Sequence, residues 1–148
     1  MIDLVAMKAY TFAGDESGKM TEEPVPDAQA AAAGAGRDAL IEMVAEADDV
    51  LMEKFFEAGT LTQDELTAGL RRAVRAGRLF PVFCASGLRN IGLQPLADAL
   101  VTYVPSPADH PFAGVAPSGD AATRPAVDAS PTVLWVWKTI ADQFAGRI

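Results

Sequence analysis

The sequence predicts a mixed fold, α+β with one α/β element, and three features lead to this prediction. Segments that favour β-structure lie near both ends of the chain, at residues 1–25 and 132–140. Between them, two segments repeat apolar residues with the period of an α-helix. A short apolar run at residues 79–84, followed by a turn and an amphipathic helix, is typical of a strand–helix unit from a parallel sheet.

The first 36 residues are predicted to form a β-hairpin and the approach to a helix. Residues 1–12 are rich in apolar and aromatic side chains, residues 14–18 have turn chemistry, and residues 19–25 return as the partner strand. The alanine-rich residues 27–36 fit either a loose segment or an early helical turn. Gly18-Lys19-Met20 invites comparison with a phosphate-binding loop, but the spacing is too short and Met20 has no hydroxyl, so a hairpin turn is favoured.

Residues 37–58 are predicted to form one long helix that ends at Gly59. The side chains expected to face the core are Leu40, Met43, Val44, Ala47, Val50, Leu51 and Phe55. The opposite side carries a continuous acidic stripe of Glu42, Glu46, Asp49, Glu53 and Glu57, with Phe56 beside it. On the pattern alone, a solvated helix face is the more common explanation of such a stripe.

A second helix is predicted to begin at Thr62, because Thr62 and Glu65 have the spacing of a capping box. Leu61 and Leu66 are placed to form a hydrophobic staple, and the residues expected to face inward are Leu66, Leu70, Ala73 and Val74. Four arginines surround the terminating Gly77, namely Arg71, Arg72, Arg75 and Arg78. A phosphate site is conceivable there, but the helix dipole is a sufficient structural reason for cations at this end.

The strand–helix unit spans residues 79–104. The apolar residues 79–84 are predicted to form a strand buried on both faces, which makes Cys84 a small buried apolar residue more readily than a nucleophile. The small residues 85–87 let backbone N–H groups approach a ligand. Pro95 suits the first turn of the helix, whose predicted apolar stripe is Leu93, Leu96, Leu100 and Val104.

Beyond Pro105 the pattern weakens. Residues 105–130 are aperiodic and predicted to form a linker, whereas residues 132–140 alternate as a strand that places Trp135 and Trp137 on one face. A single strand requires partners, so both ends of the chain are interpreted as cut from something larger.

The composition limits the function. The chain has 12 basic and 20 acidic residues and a net charge of −8, which argues against a nucleic-acid site held by charge. No apolar run has transmembrane length, and the start of the chain is unlike a signal peptide. With a single cysteine, a cytoplasmic setting is expected. His110 is predicted to be a surface residue, and no spacing indicates a catalytic group or a metal site.

Four stretches of the sequence resemble bacterial elongation factor G, the translocation GTPase of the ribosome. They are IDLVAMKA, VAEADDVLMEKFFEAGTLTQDELTAGLR, FPVFCASGLRNIGLQPLADALVTYVPSP and VWKTIADQFAGRI. They occur in the family's order and at matching spacing. The resemblance implies that residues 1–77 form the G′ insertion subdomain and residues 78–104 the last strand and helix of a P-loop GTPase domain. It also implies that residues 105–131 form a linker and residues 132–148 the start of the domain II β-barrel.

The resemblance also implies two sites. Ser86 and Gly87 occupy the family's guanine-recognition position, where backbone amides reach the base oxygen. The acidic helix corresponds to a G′ helix implicated in docking the basic C-terminal domain of the ribosomal stalk protein. The residues expected to make this contact are Glu46, Asp49, Glu53 and Phe56. Gly87 replaces the family's usual alanine and Ala85 its usual glycine, which indicates a divergent paralogue.

Residues 1–148 contain no phosphate-binding loop, no switch motif and no Asn-Lys-x-Asp motif. GTP and Mg²⁺ are therefore expected only in an intact parent GTPase, and this chain alone should hold no cofactor and hydrolyse no GTP. The predicted function is a fragment of a translational GTPase that at most binds a ribosomal partner, with no membrane or direct nucleic-acid contact. The alternatives are a ribosome-recycling or ribosome-protection paralogue, and a stand-alone α+β protein-interaction module.

Overall fold

The computed structural model describes residues 1–144 and 146–147 and shows the predicted mixed α+β fold. The chain divides into two compact units, the first of which is Met1–Val104. The two units are described separately below.

A three-stranded antiparallel sheet opens the first unit. Its strands are β1 (Ile2–Asp3), β2 (Lys8–Phe12) and β3 (Met20–Pro24), in the order β1-β2-β3. The hairpin of β2 and β3 is confirmed, and the segment compared with a phosphate-binding loop is its turn and the start of β3. The short strand β1 was not predicted because only two residues pair, which leaves no periodic pattern.

Three helices follow: α1 (Asp27–Glu46), α2 (Asp49–Ala58) and α3 (Gln63–Arg75). The alanine-rich residues after Pro26 are helical. The prediction of one helix over residues 37–58 is wrong, because Asp48 adopts an extended conformation with φ −150° and ψ 114°. The Asp48 carboxylate accepts hydrogen bonds from the amides of Val50 and Leu51, so it begins a new helix. Gly59, with φ 72°, ends α2 as predicted.

The break at Asp48 changes which residues face the core. Val44 and Leu51 are buried as predicted, whereas Val50 is 62% exposed and Met43 46% exposed. A single helical period cannot be continued through an extended residue, which explains the exposure of Val50 on α2. Met43 precedes the break, and its exposure on α1 is not explained by it. The predicted acidic stripe is likewise divided, with Glu46 at the end of α1 and Asp49 at the start of α2.

Helix α3 packs against the junction of α1 and α2 and follows the sequence prediction closely. Thr62 and Glu65 form the capping box, and Leu61 and Leu66 are both buried. At the other end, the Arg78 amide donates to the Ala73 carbonyl at 2.9 Å, which closes a Schellman motif around Gly77. The core of this unit comprises Ile41, Val44, Ala45, Leu51, Leu61, Leu66, Leu70, Ala99 and Tyr103.

The strand–helix unit differs from its prediction. Helix α4 (Leu93–Tyr103) is present, but residues 79–84 form no strand, and Phe80, Val82 and Cys84 are exposed. An extended segment becomes a strand only when a neighbour accepts its hydrogen bonds, and none of the strands described in this unit pairs with it.

Helix α4 packs through a face that matches the predicted one only in part, since Leu93 and Leu96 are half-buried. Ala99 and Tyr103 are buried against the helical core, whereas Leu100 and Val104, from the predicted apolar stripe, are 54% and 48% exposed. The predicted stripe assumed a parallel sheet beneath it. The described residues supply no such sheet, and α4 therefore packs against α3 through its smaller face.

In the second unit, the described residues form one turn of 3₁₀-helix at Pro107–Asp109 and two short antiparallel strand pairs. Strands β4 (Phe112–Val115) and β5 (Ala121–Arg124) pair within the predicted linker, and β6 (Ala141–Asp142) pairs with β7 (Gly146–Arg147). The predicted strand at residues 132–140 is wrong, and Trp135 and Trp137 are 84% and 77% exposed. No partner strand covers this segment in the described part of the unit, and its strands form no barrel.

Candidate functional site

The acidic patch, defined here as Glu46, Asp49, Glu53 and Phe56, lies at the junction of α1 and α2. All four residues are exposed. Asp49, Glu53 and Phe56 are spaced four and three residues apart on α2 and therefore share one of its faces. Glu46 is the last residue of α1, just before the break. The structure thus places the predicted residues on two adjoining helices instead of one.

Phe56 is the most exposed apolar side chain of this region, at 78%. Its neighbour Phe55 packs against the hydrophobic core, and the two ring centroids lie 6.4 Å apart at an interplanar angle of 55°. Phe55 therefore anchors α2 while Phe56 stays in solvent beside two carboxylates. Exposed aromatic side chains are enriched at protein-binding surfaces.

The ion pairs near the patch leave its carboxylates unpaired. Asp48 accepts hydrogen bonds from Nε and Nη2 of Arg72 at 2.9 and 2.7 Å, and Lys54 pairs with Glu65. Neither these pairs nor the Lys8–Glu22 pair includes Glu46, Asp49 or Glu53. The three patch carboxylates are therefore available to a cationic partner.

Both of these nearby ion pairs fix the position of α2. The Arg72 guanidinium, which donates to the Asp48 carboxylate, lowers the pKa of Asp48. Hydrogen bonds from Lys54 and then from Thr62 lower the pKa of Glu65 to about 2. In addition, Arg78 Nη1 donates to the Ala47 carbonyl at 2.7 Å. These contacts from α3 and from Arg78 stabilise the break between α1 and α2. The relative positions of the patch residues therefore depend on how the three helices pack.

The predicted arginine cluster has a structural role. Arg72 and Arg78 hold the α1–α2 junction, and Arg71 lines a shallow surface cleft of about 490 Å³ together with Asp64 and Thr67. The separation of 24 residues between Asp48 and Arg72 explains why spacing alone did not reveal their contact. Asp48 is a residue type that commonly caps helices, and this would have allowed the start of a new helix at Asp49 to be predicted from the sequence.

The second candidate site is the loop at residues 86–91. The Ser86 amide donates to the Ile91 carbonyl at 2.8 Å, and the Ile91 amide donates back to the Ser86 carbonyl at 3.0 Å. Because the Ser86 amide is occupied, Gly87 is the member of the predicted pair whose amide makes no hydrogen bond in the described part of the chain. Gly87 is exposed, and a Cβ at this position would meet no atom within 4 Å.

A glycine and an asparagine shape the surroundings of this loop. Asn90 has a φ of 51°, and Gly92 has a φ of 73°. A Cβ at Gly92 would lie 2.7 Å from the Cys84 carbonyl oxygen, so only glycine permits this close approach of the two chain segments. The backbone just before Ser86 and Gly87 therefore lies in close contact with Gly92, the residue that precedes α4.

The described residues contain no group of His, Cys, Asp and Glu side chains that could hold a metal ion. His110 is exposed, as predicted, whereas the prediction that Cys84 is buried is wrong because residues 79–84 form no strand. No helix in the described ranges is long and apolar enough to cross a membrane.

No protein-family model matches the chain. The chain is similar to a protein from Thermus thermophilus, whose crystal structure superposes with a TM-score of 0.67 at 29% sequence identity. The match covers 99% of this chain and 19% of the Thermus chain. The chain thus spans about a fifth of the length of that protein.

Proposed function

We propose that the chain is a part of a translational GTPase similar to elongation factor G, and that its acidic patch binds the basic C-terminal domain of the ribosomal stalk protein. The observation that carries this proposal is the patch itself. It combines three carboxylates outside the ion pairs of the fold with an exposed phenylalanine on a helix held in place by α3. The working compartment would be the cytoplasm.

The charge arrangement suits a fast and weak encounter. Interactions between exposed charges contribute about 0.2–1 kcal/mol each and are screened by salt. Their main effect is to steer a cationic partner and raise its association rate. Phe56 supplies the apolar contact that exposed charges lack, because burying its ring contributes about 1.5–3 kcal/mol. Such a surface suits repeated recruitment of a factor to the ribosome.

An exposed apolar surface on the strand–helix unit also supports a larger parent protein. Phe80 and Val82 on the extended segment are 80% and 90% exposed, and Leu100 and Val101 on α4 are 54% and 82% exposed. Exposed apolar side chains this numerous mark an interaction surface. In the proposed GTPase, this surface packs against the rest of the nucleotide-binding domain, and Gly87 presents its amide to guanine.

The proposal is tested by measuring the affinity of the chain for the isolated stalk C-terminal domain, with the double variant Glu46→Lys and Glu53→Lys for comparison. Two lost attractions and two new repulsions of about 0.5 kcal/mol each add to about 2 kcal/mol, or a roughly 30-fold weaker complex. Phe56→Ala should weaken binding by about 10- to 150-fold, because about 1.5–3 kcal/mol of apolar burial is lost.

The matched control is a double reversal outside the patch, Glu23→Lys and Asp98→Lys, which makes the same change in net charge. This control should bind within about three-fold of the unaltered chain, because only charges near the interface act strongly at physiological salt. Equal losses in both double variants would show that net charge, and not the patch, governs binding, and the proposed docking site would then be abandoned.

A further inference from the structure

The turn between β2 and β3 contacts the loop at residues 86–91 and the start of α4 through two side chains. Gln94 Nε2 donates to the Gly18 carbonyl oxygen at 3.0 Å, and Asn90 Nδ2 donates to the Glu16 carbonyl oxygen at 3.3 Å. These contacts join residues 74 and 76 positions apart in the sequence. The hairpin and the loop are therefore connected by tertiary contacts that no local pattern requires.

The hairpin turn is built to accept these contacts. Gly18 is buried and has a φ of 72°, and a Cβ at this position would lie 2.6 Å from Asn90 Nδ2. Within the turn, the Ser17 amide donates to Asp15 Oδ1 at 3.1 Å and the Lys19 amide donates to the Ser17 hydroxyl at 3.2 Å. Because Gly18 has no side chain, the turn backbone can approach Asn90 closely enough to accept its hydrogen bond.

The backbone of the loop at residues 86–91 connects Asn90 to Ser86. Asn90 sits in the left-handed region that asparagine tolerates better than other side chains, and its neighbour Ile91 makes the two backbone hydrogen bonds to Ser86. Any displacement of Asn90 is thus passed through one residue to Ser86 and Gly87. On the other side, Gly92 fixes the distance to the Cys84 carbonyl.

We propose that Asn90 and Gln94 are positioning residues, which use the β2–β3 turn to hold the Gly87 amide in the orientation that recognises the base of a guanine nucleotide. This inference rests on the proposed function, since it assumes that the parent protein binds guanine. It adds that base selectivity depends on the small N-terminal sheet. Movement of the hairpin then changes recognition of the base without touching the phosphates.

The first test uses the 148-residue chain and amide hydrogen exchange. Gln94→Glu keeps the shape of the side chain and removes its donor, and Gly18→Ala displaces Asn90 from the hairpin side. Loss of one hydrogen bond corresponds to a roughly five-fold change in an opening equilibrium, so we expect about five-fold faster exchange at the Ser86 and Ile91 amides. Exchange in α1 and α3 should stay unchanged, which separates a local effect from unfolding.

The control is Gln29→Glu, the same chemical change in the exposed first turn of α1. It should leave exchange in the loop unaltered. If Gln94→Glu and Gly18→Ala also leave the Ser86 and Ile91 amides unaltered, the hairpin does not position the loop and the inference is overturned.

The second test uses the longer GTPase and compares GDP with the diphosphate of 2-aminopurine riboside, which lacks the base oxygen that the Gly87 amide would contact. We expect Gln94→Glu to lower the preference for GDP about five-fold and to leave the affinity for the analogue unchanged. An equal loss for both nucleotides would indicate a merely structural role and overturn the inference. If the unaltered protein binds neither nucleotide while the exchange result holds, the proposed function fails, and the assignment to base recognition fails with it.

Discussion

Gly69 lies at the closest approach between α3 and the α1–α2 junction, and replacing it by alanine should destabilise the protein. A Cβ there would lie 2.4 Å from Leu51 Cδ1 and 2.7 Å from Val44 Cγ1. Both neighbours are almost fully buried, and Val44 is β-branched and stiff within a helix. Overpacking of this kind costs about 1–3 kcal/mol. The gain in helix propensity from glycine to alanine recovers about 1 kcal/mol, so we expect a net loss of about 1 kcal/mol.

The chain offers a matched control in Gly34, which is also helical. A Cβ at Gly34 would meet nothing within 4 Å, so Gly34→Ala should stabilise the protein by about 0.5–1 kcal/mol. Urea unfolding followed by circular dichroism measures both values by linear extrapolation. The test depends on the two changes in the free energy of unfolding having opposite signs. If both variants stabilise the chain equally, α3 does not approach Val44 and Leu51 as described, and the position of α2 would have to be revised.

Three further predictions concern the residues around the two candidate sites. Because the pKa of Glu65 is lowered from 4.5 to about 2, the folded state is favoured above pH 4.5 and loses this stabilisation as the pH falls towards 2; Glu65→Gln should flatten that part of a pH-dependent unfolding curve. Asp48→Asn should cost less than Asp48→Ala in urea unfolding, about 0.5 against about 1.5 kcal/mol, because the amide oxygen still caps α2 and only the pairing with Arg72 is lost. In Gly87→Ala, the new Cβ meets no neighbouring atom, so the substitution should stabilise the folded state by about 0.4–1 kcal/mol and raise the midpoint of thermal unfolding. A lower midpoint would mean that the loop requires glycine at this position.

Features that depend on a few neighbouring residues were predictable from the sequence. The capping box of Thr62 and Glu65, the helix stop at Gly59 and the hairpin turn before Met20 are all present. Each of these depends on backbone geometry within about five residues, so no distant partner can change the outcome. Exposure of the acidic patch was likewise predictable, because charged residues at helical spacing rarely turn inward.

The errors arose where a segment depends on a partner outside its own sequence. Residues 79–84 and 132–140 have high β-propensity, yet a strand also requires a neighbour for its hydrogen bonds, and the described chain provides none. The helix break had a local cause, in contrast. Asp48 competes for the amides of the next turn, and the strong apolar period on either side of it concealed this capping signal.

The position of α2 could not be predicted at all, since it depends on Arg72, Arg78 and Lys54 reaching across helices. These contacts join residues between 11 and 31 positions apart. The same limit applies to Gln94 and the hairpin turn. The sequence therefore indicated which residues to consider at each candidate site, whereas the orientation of these residues depends on tertiary packing.

The most direct test of the proposed function is an NMR titration of the labelled chain with the isolated stalk C-terminal domain. The account predicts that the amides around Glu46, Asp49, Glu53 and Phe56 shift progressively, in fast exchange, and that the shifts fade as salt rises well above physiological strength. The amides of β1–β3 and of α4 should not move. No shifts, or shifts centred on the arginines at the end of α3, would contradict the claim that the acidic patch is the docking surface.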